Sequence, residues 1–148
     1  MFKHNKAFTI IELMVVIVIL GTVSYLPLNN INSLTEHILL RSEVKKLVSY
    51  LLQTRHWAVN NHQISGIRFN KSNQKYEIFT DTISKKNYQL PPEITLKEVN
   101  LSFGNQAVEF QPTGTCLGGN IILSNQQGQS YQITIYGTTG RVRWESYD

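Results

Sequence analysis

Phe8-Thr9-Ile10-Ile11-Glu12-Leu13-Met14-Val15-Val16-Ile17-Val18-Ile19-Leu20 is an apolar run interrupted only by Thr9 and one carboxylate. Glu12 is the only charged residue between Lys6 and Glu36. A charge inside a membrane-spanning helix costs roughly 2.5–3.5 kcal/mol, so its retention here marks Glu12 as functional. Phe8 to Leu28 covers 21 residues, a helix of about 31 Å at roughly 1.5 Å per residue, close to one bilayer core. Upstream, Met1-Phe2-Lys3-His4-Asn5-Lys6-Ala7 is a short basic leader ending on a small residue. Lys3 and Lys6 keep that end cytoplasmic by the positive-inside rule, leaving the bulk of the chain outside. A secretory signal cut near Thr22-Val23-Ser24, or a plain anchor, also fits the length and charge. Neither gives Glu12 a role.

At the leader and Phe8-Thr9-Ile10-Ile11-Glu12 the chain resembles type IV prepilins and pseudopilins. The resemblance implies cleavage behind Ala7 by a prepilin peptidase and N-methylation of Phe8. Ala7 departs from the usual glycine before the cut. The resemblance also implies that Glu12 serves assembly. In lipid its carboxylate would seek the new α-amino group of a neighbouring subunit, a group mostly cationic near neutral pH given a pKa of about 7.7–8.0. Other pilins or pseudopilins of the filament, the peptidase and the inner (cell) membrane are the implied partners.

The 148 residues leave room for one domain beyond this helix. The formal charge of +4 falls to +2 once Lys3 and Lys6 leave with the leader, so the basicity does not by itself announce nucleic acid. Cys116 is the single cysteine, which precludes an intramolecular disulfide and makes it most simply a small buried residue. Pro27, with Asn29 and Asn30 after it, should kink or interrupt the helix. Leu40, Val44, Leu47, Leu51, Thr54 and Ala58 then recur at helical spacing, with Val48 and Leu52 widening the stripe. Lys45, Lys46, Ser49 and Gln53 occupy the other side. Asn60-Asn61 can end this helix, and His56-Trp57 near its end read as junction packing.

Short alternating segments follow at Ile64 to Phe69, Tyr76 to Thr80, Ile94 to Leu96, Val108 to Phe110, Ile121 to Leu123, Tyr131 to Tyr136 and Arg141 to Trp144. Asn-, Gly- and Pro-bearing turns separate them, such as Lys71–Gln74, Pro91-Pro92, Asn125–Gly128 and Gly137–Gly140. The expected fold is α+β, a long N-terminal helix, partly transmembrane, kinked near Pro27 and packed on a mainly antiparallel β domain. The expected division is a leader over 1–7, a membrane or filament-core helix over 8–28, its amphipathic half over 29–62 and an extracytoplasmic β domain over 63–148.

No enzyme signature is present. His4, His37, His56 and His62 lack metal-ligand spacing, Cys116 has no identifiable base, and there is no phosphate-binding glycine loop. No metal and no cofactor are expected.

Phe110-Gln111-Pro112-Thr113-Gly114, Gly118-Gly119-Asn120-Ile121-Ile122-Leu123, Tyr131–Tyr136 and Gly140-Arg141-Val142-Arg143 are similar to minor subunits of the GspH/FimT group, and most of all to ComGD-type competence subunits. This implies a low-copy subunit that primes or tips a filament, first of a competence pseudopilus for DNA uptake, alternatively of a type II secretion pseudopilus without DNA contact. In some FimT-like members a Gly-Arg-x-Arg motif contacts DNA, which makes Arg141 and Arg143 candidate DNA-binding residues and DNA a candidate partner. Residues two apart on a strand share a face, so the two guanidinium groups would stand together, as adjacent phosphates require. Lys85 and Lys86 could extend the patch. The competing reading is a solvated edge strand whose charges block sheet-to-sheet association.

Overall fold

The computed structural model describes residues 9–25, 31–81, 83–102 and 106–147. Thr9 opens the first helix, α1 (Ile10–Tyr25). Its hydroxyl and its carbonyl both accept from the Glu12 backbone N–H, at 3.3 and 3.1 Å. The expected membrane helix over 8–28 is described over 16 residues only, about 24 Å at roughly 1.5 Å per residue. No helix among the described residues is long and apolar enough to cross a membrane. Phe8 and the expected kink at Pro27 lie outside the described residues. Residues 1–34 and 35–148 form two separate units.

The second helix, α2 (Ile31–Asn61), ends where Asn60-Asn61 were expected to end it. His62 takes a left-handed backbone with φ of 54°, and the Gln63 N–H donates back to the Ala58 carbonyl at 3.3 Å, which satisfies a carbonyl that the last turn leaves open. The predicted stripe is buried along its whole length, with Leu40, Val44, Leu51 and Ala58 at 0 % exposure. Leu52 does not belong to it. One position round from Leu51, it is exposed.

Eight strands follow among the described residues: β1 (Ser65–Asn70), β2 (Lys75–Thr80), β3 (Ile83–Gln89), β4 (Ile94–Leu101), β5 (Ala107–Phe110), β6 (Gly119–Asn125), β7 (Ser130–Tyr136) and β8 (Arg141–Tyr147). They form two four-stranded antiparallel sheets, ordered β3-β2-β1-β5 and β4-β6-β7-β8. The strand β3 (Ile-Ser-Lys-Lys-Asn-Tyr-Gln) was not expected. It is an edge strand with too few apolar side chains to show a buried face. β4 outruns its expected three residues because Glu98 to Leu101 pair with Gly119 to Ile122 beyond a bulge at Lys97.

One core joins α2 to both sheets. It holds Leu40, Val44, Leu47 and Leu51 from the helix, Ile67, Phe69 and Val108 from one sheet, and Leu96, Ile121, Leu123 and Ile133 from the other. Specific contacts fix the helix on it: the Ser65 hydroxyl donates to the Thr54 carbonyl at 2.8 Å, and the Tyr50 ring packs against that of Tyr88, tilted by 34° with centroids 4.5 Å apart. Gln74, left-handed at φ 50°, accepts from Leu90 N through its own carbonyl at 3.0 Å and from Leu96 N through its side chain at 2.6 Å. It thereby ties the β1–β2 turn to the chain entering the second sheet.

Gly66 on β1 has no room for a side chain, because a Cβ there would meet the Val108 carbonyl and come within 2.5 Å of the Phe79 ring. Gly66→Ala is expected to destabilise the domain by about 1–3 kcal/mol, the usual cost of overpacking, read as a lowered urea midpoint of residues 35–148.

Burial, then the nearby Glu43 charge, pushes the Tyr76 phenol well above its ordinary value. Its neutral form is therefore favoured by folding, so its contribution is complete below the ordinary value of 10.0 and is lost as pH climbs past it. The Tyr50–Tyr88 pair opposes itself. Tyr50 is pushed up to about 12, first by its hydrogen bond to Tyr88 and then by burial. Burial also pushes Tyr88 up, but hydrogen bonds from Lys86 and Tyr50 outweigh it and leave that phenol below its ordinary value. The urea midpoint should fall between about pH 9 and about pH 11, and Tyr76→Phe should flatten that fall; an unchanged slope would remove Tyr76 as its cause.

Candidate functional site

Every large apolar side chain of α1 from Ile10 to Leu20 is exposed. A helix that is apolar all round is one that something else must cover. Glu12 lies in the first turn of this helix, where the backbone dipole favours a negative charge. Thr9-Ile10-Ile11-Glu12 has the spacing of a capping box, and the threonine half of it is formed at 3.3 Å. This spacing was readable from the sequence and was missed there; the bond formed uses the Glu12 backbone N–H, and it is the helix dipole that favours an acid at this position independently of any partner. Ala7 and Phe8, the expected cleavage and methylation residues, lie outside the described residues.

The second candidate site lies on β8, an edge strand. Arg141 and Arg143 are exposed, while Val142 and Trp144 between and beside them are half-buried on the opposite face. The shared face expected for the two arginines is therefore present. It also carries Glu145, whose carboxylate pairs with Arg143 at 3.2 Å, so the face is less positive than the two arginines alone suggest. Trp144 is held from below by Arg41, 5.9 Å from its ring centroid, and by the edge of Tyr131, centroids 5.5 Å apart. Lys86 is on β3, at the edge of the other sheet, with its ammonium group 5.0 Å from the Tyr88 ring centroid. The Lys85 side chain lies outside the described residues.

The glycine of Gly140-Arg141-Val142-Arg143 has a packing reason. Gly140 is left-handed at φ 62°, and a Cβ on it would strike the Gly114 carbonyl and come within 2.6 Å of Arg55 Nε. Arg55, half-buried on α2, donates from that Nε to the same Gly114 carbonyl at 3.0 Å. Arg55 is thus a structural residue with no local signal in the sequence, clasping the loop before β6 and the β7–β8 turn.

Cys116, expected buried, is half-buried. Burial pushes its thiol up, against a smaller downward pull from Arg55, so the protonated, unreactive form is favoured. Its N–H donates to the Gly137 carbonyl at 2.9 Å. His56 is exposed and Trp57 lines a cavity of about 180 Å³ with Thr54, Ser65 and Ile78 at the helix–sheet junction. Among the described residues no three His, Cys, Asp or Glu side chains gather into a metal site.

Residues 43–139 match the family described as type II transport protein GspH, and residues 2–24 match the prokaryotic N-terminal methylation motif. The chain belongs to the GspH family. Its fold is that of solved minor pilins and pseudopilins. The minor pseudopilin EpsH from the type 2 secretion system of Vibrio cholerae is 13% identical with a TM-score of 0.61, covering 72% of this chain and 96% of that one. The type IV minor pilin FimU of Pseudomonas aeruginosa is 16% identical with a TM-score of 0.58, covering 76% and 92%. No curated relative matches the chain. Membership makes this GspH-family protein a structural subunit of a secretion or type IV filament system and not an enzyme. The methylation motif implies inner-membrane anchoring before entry into a pseudopilus, with other pseudopilins and the prepilin peptidase as partners.

If the clasp is what fixes the β7–β8 turn, Gly140→Ala should cost about 2 kcal/mol or more, from the left-handed backbone and the crowding together. Gly140→Asn relieves only the backbone term, so it should fail to restore the wild-type urea midpoint. A full rescue by asparagine would show that the close approach to Gly114 and Arg55 is not limiting.

Proposed function

We propose that this protein is a minor pseudopilin of a type II secretion pseudopilus, a low-copy subunit that helps start or tip the filament. The observation that carries this reading is the GspH match over residues 43–139 directly behind an N-terminal methylation motif. The same match favours secretion over the competence role expected from the ComGD likeness, for which the comparisons offer no support.

On this reading the peptidase cuts behind Ala7 and methylates Phe8. The apolar side chains of α1 are then covered by lipid and afterwards by neighbouring subunits. Glu12, a lone carboxylate among them, costs roughly 2.5–3.5 kcal/mol in lipid unless it meets a cation, and the α-amino group at Phe8 of the next subunit supplies one. Pairing offsets that cost only when the helices are in register, so the charge selects the docked arrangement.

Glu12→Ala should leave cleavage and methylation at Phe8 intact by mass spectrometry while the subunit no longer co-purifies with cross-linked pseudopilus and secretion falls. Normal incorporation of Glu12→Ala would leave the favourable charge at the start of α1 as all that the Glu12 carboxylate supplies. A mature chain that does not begin at Phe8 would overturn the processing step.

A second reading, DNA capture, is favoured by one observation, the shared exposed face of Arg141 and Arg143. Two arginines, one already paired with Glu145, neutralise few phosphates. Binding of residues 35–148 to duplex DNA should then be no tighter than the non-specific range of about 10⁻⁴–10⁻⁶ M and should vanish with salt. Binding that survives an Arg141→Ala/Arg143→Ala change removes this site.

A further inference from the structure

Three tyrosines from three elements meet beside α2. Tyr76 on β2 and Tyr88 on β3 are cross-strand partners with nearly parallel rings, centroids 5.3 Å apart and 19° between planes. Tyr50 of α2 closes on Tyr88 at 4.5 Å and 34°. Lys86 and Lys46 place ammonium groups 5.0 and 5.9 Å from the Tyr88 ring centroid. Tyr50 and Tyr88 are half-buried, so solvent reaches them, whereas Tyr76 is 2 % exposed.

We propose that Tyr50 and Tyr88 are an oxidative coupling site, which a one-electron oxidant joins into a single dityrosine cross-link between α2 and β3. Each phenol gives one electron to the oxidant and its hydroxyl proton to solvent, leaving two phenoxyl radicals. The radicals combine through a new bond between ring carbons next to the hydroxyl-bearing carbons. Each of those carbons then passes its hydrogen to its own phenoxyl oxygen, restoring both aromatic rings. The chain loses two electrons and two protons, which one hydrogen peroxide accepts to become two waters.

Several features select this pair. Burial pushes the Tyr88 phenol up, but the pull of Lys86 and of the neighbouring Tyr50 hydroxyl outweighs it and leaves the phenol below its ordinary value, which favours the phenolate, the form that gives up an electron most readily. The Tyr76 hydroxyl is buried and has no hydrogen-bond partner among the described residues, so its proton has no outlet. Tyr136 and Tyr147 are more exposed, at 44 and 42 %, but neither has an aromatic partner among the described residues; oxidation there joins separate molecules. The single cysteine of the chain leaves it no internal disulfide, and a bond from Tyr50 to Tyr88 would close a loop through α2, β1, β2 and β3 in the manner of one.

The test is to treat the full-length chain in detergent with a haem peroxidase and dilute hydrogen peroxide. The expected product is a monomer with blue biaryl fluorescence, in which the Tyr50 and Tyr88 peptides are joined with loss of two hydrogens and the urea midpoint is raised. Tyr50→Phe and Tyr88→Phe, which keep the rings and the packing, should each abolish the monomeric product. A Tyr136→Phe/Tyr147→Phe chain should still give it while losing dimers. Coupling found only between molecules, a different internal pair in the wild-type peptide map, or no coupling at all would overturn the proposal.

Discussion

Burial of one face of α2 is the constraint on which the rest of the domain depends. The two sheets are separate hydrogen-bonded units, linked outside their ladders by single features such as the Phe110–Cys116 bridge and the Gln74 side chain. Neither four-stranded sheet could shield its apolar face alone. Leu40, Val44, Leu47 and Leu51 fill the space between helix and strands, and each such side chain removed from water contributes about 1.5–3 kcal/mol. The helix is therefore the shared wall of one core. Polar contacts along it, from His37 to Arg55, set its angle and depth on the strands more than they set the total stability.

That division explains what the sequence could disclose. The α2 stripe and seven of the strands were legible because each puts apolar side chains on one face at a fixed period, and burial at Leu40 through Ala58 follows that period. β3 was illegible because an edge strand of lysines, asparagine and serine has no face to declare. Leu52 misled because its type matched the stripe while its angle round the helix did not. Which strands neighbour one another was also hidden: alternation reports the face of a residue and nothing of its partner across the sheet, so the grouping β3-β2-β1-β5 could not be read.

The two candidate sites differ in the same way. Glu12 stood out because a lone charge in an apolar run is a local anomaly that needs no fold to notice. The Thr9 cap of the same turn is equally local, a threonine three residues ahead of the acid at the start of the apolar run. Arg55 could not have been found this way. It is 59 residues from Gly114 in the chain, and its role exists only because α2 carries it to a turn that the later strands create.

The Arg55 clasp also changes how Gly140-Arg141-Val142-Arg143 is weighed. A motif argues for a ligand in proportion to how poorly its residues are explained without one. Gly140 is explained by its left-handed backbone and by its contact with Gly114 and Arg55. Val142 packs against the core and Arg143 meets Glu145 across two residues of an exposed edge, where charges also deter strand addition. Of the four, Arg141 is left with no side-chain partner among the described residues, and one guanidinium group on an edge strand cannot position a polyanion. Any nucleic-acid role for this turn must recruit cations from other subunits, and the secretion reading requires no such recruitment.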